Sequence, residues 1–299
     1  MKRRILPLLL ALLVLTGCRS GDVKFYNSFY RMDQFMTIQL WGSDTTEVAK
    51  EISNILNSLE ETYAPTAEDL TAQKNLTERA QALSQRTGGA YAPDLYALKE
   101  AWGFPAMEYQ VPTQDQIDQA LSEHRQDLTD LLTGYAGDKC VDYLRTQPID
   151  CALLELGTTV MTYGSRPDGS PWEISIHSPW GTGPLGSVAV TGTMAVSTAG
   201  SYQSWFELDG ERRFPILDPA TGALADHGVA AVTVISAGGT TAQGLAHALF
   251  VLGLEEGSRL WQESNDFEAV FILTDGTIHT TPGARFFGAT CNTIQPAKK

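Results

Sequence analysis

Charge is scarce in this 299-residue chain and leans one way: Asp, Glu, Lys and Arg make up 19%, with 35 acidic residues against 21 basic. The formal net charge of −14 repels nucleic acid and anionic lipid heads, so neither is an expected partner. Cysteine is rarer still, four in all, and Cys140, Cys151 and Cys291 lack the paired spacing of a zinc site. One disulfide with one free thiol, or three packed thiols, are both open readings. No His-Glu-x-x-His, Cys-x-x-Cys, Gly-Lys-Ser or Gly-x-Ser-x-Gly motif occurs, so the sequence offers no zincin helix, phosphate loop or nucleophile elbow. The long apolar run from Ile5 to Leu15 falls short of the ~20 residues a membrane span needs.

What is present starts with that run. Lys2, Arg3 and Arg4 precede it and Thr16-Gly17-Cys18 closes it, the pattern of a secretory signal. Leu15-Thr-Gly-Cys18 resembles a bacterial lipoprotein signal. Residues 1–17 would then be removed and Cys18 lipidated, anchoring the chain to a membrane outside the cytoplasm. Losing residues 1–17 takes three basic residues and no acidic one, so the mature chain is more acidic still. Residues 18–31 read as a tether, 32–290 as the folded domain and 291–299 as a tail. Hydrophobic content of 43% is that of a globular chain, long enough to bury a full core.

Along the domain, Met32–Gly42 alternates as a strand, and Thr45–Leu59 has the apolar spacing of a helix with Asp44 as its expected cap. Helices are predicted over 67–85, 94–102 and 113–121, with 127–145 mixed around Gly134. Strands are predicted over 152–156, 160–163, 172–177, 186–190, 194–198, 203–208, 213–217, 229–235, 268–273 and 277–281. A helix from Thr241 to Leu254 and another near Glu256–Glu263 interrupt them. A helix-rich first half packed on a strand-rich second half is an α+β fold.

The stretch Met194–Gly253 carries three units. Val196-Ser-Thr-Ala-Gly-Ser-Tyr202 sets small residues and hydroxyls on an expected turn where a backbone can approach a ligand. Ile216-Leu-Asp-Pro-Ala-Thr-Gly222 is an expected tight turn, with Asp218 able to hydrogen-bond its own backbone. Val232–Ile235 is a strand leading through a Gly-rich loop to the Thr241 helix. These units join Thr62-Tyr-Ala-Pro65 with Asn75-Leu76, Thr87-Gly-Gly-Ala-Tyr91, Ala101-Trp-Gly-Phe104, Asp127–Ala136 and Pro167-Asp-Gly-Ser-Pro-Trp172. In that order they resemble the FAD:protein FMN transferase family, often lipoproteins, from about Met32 to Gly288.

The resemblance implies an α+β fold, FAD as substrate, magnesium as cofactor, and transfer of FMN to a Thr or Ser of an extracytoplasmic protein. It places flavin contacts at Tyr63, Gly89, Ala90, Tyr91 and Asp127, and the family's phosphate-facing lysine at Thr133. The family's magnesium-holding aspartate and threonine fall at Gln243 and His247, and its histidine before the isoleucine pair at Pro215. Its aspartates after the Ser-Gly turn and in the aromatic segment fall at Ser201 and Ala92. An amide and an imidazole suit magnesium poorly, since that ion prefers carboxylates and water. Asp130 adds a carboxylate that could join Gln243 and His247 around a metal, or could simply be solvated. His247 on a helix of alanines and leucines reads as a packed histidine or a ligand, Tyr63 as a flavin contact or a turn-filling ring, and Asp218 as structural. Two functions follow: a transferase with altered metal use, or a catalytically weakened flavin-binding or partner-binding lipoprotein on the same scaffold. A solute-binding lipoprotein fits less well, because no second α/β lobe is visible.

Overall fold

At the centre of the molecule runs β10 (Val229–Ser236), buried at all eight positions. The computed structural model describes residues 24–63, 73–104, 108–181, 183–200, 206–208, 210–214, 216–264 and 266–297. Val232 and Val234 of β10 enter one core while Ala231 and Ile235 enter another on the opposite face. A strand covered on both faces reads as a continuous apolar run, and VAAVTVIS does.

Around it forms a nine-stranded sheet. Its strands are β1 (Lys24–Arg31), β2 (Gln34–Gly42), β3 (Ile149–Leu156), β4 (Thr159–Tyr163), β7 (Met194–Gly200), β10, β11 (Phe267–Leu273), β12 (Ile278–Thr280) and β14 (Asn292–Thr293), adjacent in that order. Every pair is antiparallel except β12 with β14. One face is covered by α1 (Thr45–Thr62), α2 (Lys74–Arg86), α5 (Leu132–Leu144) and α6 (Gly239–Gln262). Ile52 and Leu56 of α1 are fully buried there, each worth about 2 kcal/mol over exposure. The other face is covered by a three-stranded sheet of β5 (Trp172–His177), β6 (Pro184–Val190) and β13 (Phe286–Gly288). A third cluster joins α3 (Tyr96–Ala101) and α4 (Gln114–Ser122) to Leu217 through Leu98, Trp102 and Ile117. The short hairpin β8 (Phe206–Leu208) and β9 (Glu211–Arg213) stands apart from both sheets.

The α+β class is as expected, but the halves do not segregate: β1, β2 and β3 extend the sheet, and α6 joins the early helices. Residues 24–31 of the expected tether are β1, with Phe25 and Phe29 packed on the helix-side core. In the expected tail, β14 pairs with β12, and Ile294 is buried. Asp44 does not cap α1 through its side chain: it lies at φ 53°, whereas a capping residue needs extended backbone. The mixed stretch 127–145 is a short 3₁₀ turn over Thr129–Leu131 followed by α5. Val196–Gly200 is not a turn but the end of β7, paired with β4 and β10. α6 is interrupted at Gly253 (φ 72°), close to the expected join of two helices. Cys140, Cys151 and Cys291 are all free thiols; Cys140 and Cys151 sit in cores on opposite faces of the sheet.

Candidate functional site

Two turns face each other across the mouth of the site. In the first, the Thr87 hydroxyl donates to the Leu83 carbonyl at 2.8 Å and accepts the Tyr91 N–H at 3.1 Å. Between them Gly88 and Gly89 adopt φ 61° and 87°, and a Cβ on either would meet only open space. Glycine is required there by conformation, not by crowding. In the second, Asp218 accepts the Ala220 N–H at 2.9 Å and the Thr221 hydroxyl at 3.0 Å, the self-bonded turn its sequence implied. Trp102 Nε1–H donates to the Gly222 carbonyl at 2.9 Å, fastening this turn to α3.

Between the turns lies a cleft of about 560 Å³, walled by Gly88, Gly89, Ala90, Pro219, Val251 and Leu252 among others. That volume is within the range of small-molecule and cofactor sites, ~300–1,000 Å³. Its acidic groups are paired. Asp94 meets His124 at 2.7 Å, His227 lies 3.8 Å from Asp218, and Glu256 meets Arg259 at 2.7 Å.

An inner chamber of about 20 Å³ adjoins the cleft and shares Ala90, Leu95 and Val251 with it. α3 delivers Lys99 to its wall, with Nζ 2.8 Å from Asp127 Oδ2 and 2.7 Å from Asp130 Oδ2. Burial alone would lower the Lys99 pKa, but Asp130 and Asp127 outweigh it and hold the ammonium above the ordinary lysine value. Burial likewise pushes Asp127 up, and Lys99 with the Thr129 donors outweighs it, leaving the carboxyl below its ordinary range. His247 and Tyr91 line the same chamber. Desolvation lowers the His247 pKa, so the imidazole is neutral at pH 7. Among the described residues the buried Tyr91 hydroxyl has no hydrogen-bond partner, and burial followed by Asp130 and Asp127 raises its pKa.

The expected site residues therefore divide. Gly89, Ala90, Tyr91, Asp127, Asp130 and His247 gather around the cleft and chamber. Gln243 does not join Asp130 as a ligand would: its Oε1 accepts the Gly134 N–H at 2.7 Å and its Nε2 donates to Thr158 at 3.3 Å. Thr133 is buried, its hydroxyl 3.4 Å from that of Thr158 and 3.5 Å from that of Thr159. Tyr63 packs edge-on to Tyr135 at 5.9 Å in the helix-side core. Pro215, Ser201 and Cys18 lie outside the described residues. Ala92 lines both cavities. Lys99 is the site residue that sequence reasoning missed. It sits in a short predicted helix where a lysine ordinarily faces water, and nothing in its spacing marks partners from a different segment.

These donors do not fit magnesium. Gln243 is neutral and its oxygen is taken, the two carboxylates already hold an ammonium, and among the described residues no three His, Cys, Asp or Glu side chains are grouped to hold a metal.

The chain is similar to known proteins in sequence and in fold. The FAD:protein FMN transferase of Treponema pallidum is 30% identical over 243 residues, spanning 70% of this chain and 67% of that protein. The apo form of the flavinyl transferase ApbE from Pseudomonas stutzeri superposes with TM-score 0.76 at 27% identity, covering 88% of this chain and 96% of that one. The ApbE protein of Thermotoga maritima shares the fold at TM-score 0.78 and 23% identity, covering 86% of this chain and 96% of its own. The chain resembles FAD:protein FMN transferases in sequence and fold, and with a family profile matching residues 32–271 it belongs to the ApbE family.

Proposed function

We propose that this chain binds FAD in the cleft between the Gly88-Gly89 and Asp218 turns and transfers FMN from it to a Thr or Ser of an extracytoplasmic protein. Lipidated Cys18 would hold it at the membrane where that target resides. The observation that carries the reading is the cleft itself. Its volume of about 560 Å³ suits a bound cofactor, and it and the adjoining chamber are lined by Gly89, Ala90 and Tyr91, three of the residues that the family resemblance assigns to flavin.

In this reaction the acceptor hydroxyl oxygen forms a bond to the FMN phosphorus as the bond to AMP breaks, and the hydroxyl proton passes to a base. The chain contributes positioning and polar contacts. Gly88 and Gly89 leave their backbone open to close approach. The Tyr91 side chain lines the inner chamber, its hydroxyl buried and without a partner among the described residues. His247, its pKa lowered by desolvation, lines the chamber as a neutral imidazole able to make a hydrogen bond.

A second reading, a weakened or inactive flavin-binding lipoprotein, draws on the internal engagement of Gln243 and Thr133, which leaves the inherited metal and phosphate positions without free ligands. Titrating the purified protein with FAD, then following AMP release and covalent flavin on a Thr-containing acceptor, separates the two. Saturable binding with AMP release and acceptor labelling supports the first reading. Binding without AMP release supports the second, and no binding ends both.

A further inference from the structure

We infer that the Lys99 ammonium is the resident cation of the inner chamber, so that this chain engages its dinucleotide without a divalent ion. The inference rests on the proposal that FAD is the ligand, and it concerns how the site manages charge. Lys99 is 13% exposed and bridges Asp127 and Asp130, at 2.8 and 2.7 Å; Asp127 is 7% exposed. A divalent ion seeking those carboxylates would have to expel an ammonium that both already hold, or sit beside it against like charge.

The space argues the same way. Magnesium keeps several of its waters when bound by one or two carboxylates. The chamber holds about 20 Å³, room for one water-sized group and not for a hydrated ion. Gln243, at the position the resemblance gives to a magnesium carboxylate, is neutral and spent on Gly134.

What the chamber offers instead is hydrogen-bond donors. An ammonium has three, and two are taken by the aspartates. Tyr91, a residue 3% exposed, lines the same chamber, its hydroxyl buried and without a partner among the described residues. The remaining ammonium donor and a space for one atom suit a single ligand oxygen. With two carboxylates, one ammonium and a neutral imidazole, the chamber gains nothing from full phosphate charge and selects by hydrogen bonding.

The test uses the full chain, as wild type, Lys99→Met and Lys99→Arg, with Mn²⁺ alone as the metal probe, read by the resonance of the free aqueous ion. FAD is then titrated by flavin fluorescence in EDTA and again in Mg²⁺. Wild type and Lys99→Arg should leave Mn²⁺ free, with FAD affinities that agree within about twofold in the two buffers. Lys99→Met, which frees Asp127 and Asp130, should take up Mn²⁺ and make FAD affinity cation-dependent by about tenfold or more. Stoichiometric Mn²⁺ binding by wild type that Asp130→Asn abolishes, or loss of wild-type FAD binding in EDTA, overturns the inference. If Lys99→Met does not fold, the wild-type arms decide alone. If FAD binds in neither buffer, the proposed function falls, while the Mn²⁺ arm still decides the role of Lys99.

Discussion

Two successive turns of α6 present Gln243 and His247 four residues apart, on one face of the helix, yet they belong to different parts of the protein. At the first turn the polar groups are taken up inside the fold. Asp138 of α5 accepts the N–H of Gly239 at 2.6 Å and of Thr240 at 3.1 Å, amides that α6 itself cannot satisfy. Gln243 of α6 returns the favour by accepting the Gly134 N–H at 2.7 Å, an orphan donor in the first turn of α5. The two helices thus cap each other. One turn later His247 lines the inner chamber beside Lys99 and Tyr91. The difference teaches that an inherited ligand position can be absorbed into the scaffold while its neighbour one turn on stays at the site.

The comparison breaks most completely at the crossing point. A Cβ on Gly134 would fall inside the Gly239 carbonyl, and a Cβ on Gly239 inside that of Gly134. Gly134→Val should therefore destabilise the protein by about 3 kcal/mol or more, seen as a lower midpoint in urea unfolding. An unchanged midpoint would mean the backbones do not touch. Next comes Gln243→Leu, which strands the Gly134 N–H and should cost about 2 kcal/mol, while His247→Leu at pH 7.5 should cost less than about 1 kcal/mol. Equal losses would erase the distinction between the two turns. Asp138→Ala removes the cap on α6 and should cost about 1.5 kcal/mol. Little of that belongs to the ion pair with Arg79, since that side chain is 42% exposed and solvent screens it.

Much of this arrangement was legible in the sequence. α1 and most strands follow their apolar periodicities, and the Asp218 turn follows from Asp-Pro and Thr-Gly. The β1–β2 hairpin was hidden because its turn is Met32-Asp33, both at positive φ, where Asn-Gly is the usual signal. Gly134 read as an interruption of residues 127–145, whereas it is the contact that lets two helices meet. The family resemblance singled out Gln243 and His247 together, but it could not reveal that the Gly134 N–H would reach the first of them. Lys99 was hidden for a related reason: its worth comes from Asp127 and Asp130, brought to it by a different segment.

The smallest effect concerns pH, and it probes the outer turn alone. An unfolded histidine titrates near pH 6.5, and burial holds His247 lower in the fold despite the opposing pull of Asp130 and Asp127. The unfolded chain therefore binds more protons than the native one below about pH 6.5. Stability owed to the neutral imidazole is complete above that pH and is lost as pH falls toward the native value, by at most about 1.4 kcal/mol per unit. Lys99 stays charged throughout this window, and Asp127, held below its ordinary range, has yet to protonate. Urea midpoints of wild type and His247→Gln at pH 7.5, 6.5 and 5.5 should then converge or cross on acidification, because the variant has no imidazole to protonate. Parallel decline of the two would place His247 in contact with water in the folded state, and with it the outer turn of α6 would lose its claim to a desolvated chamber.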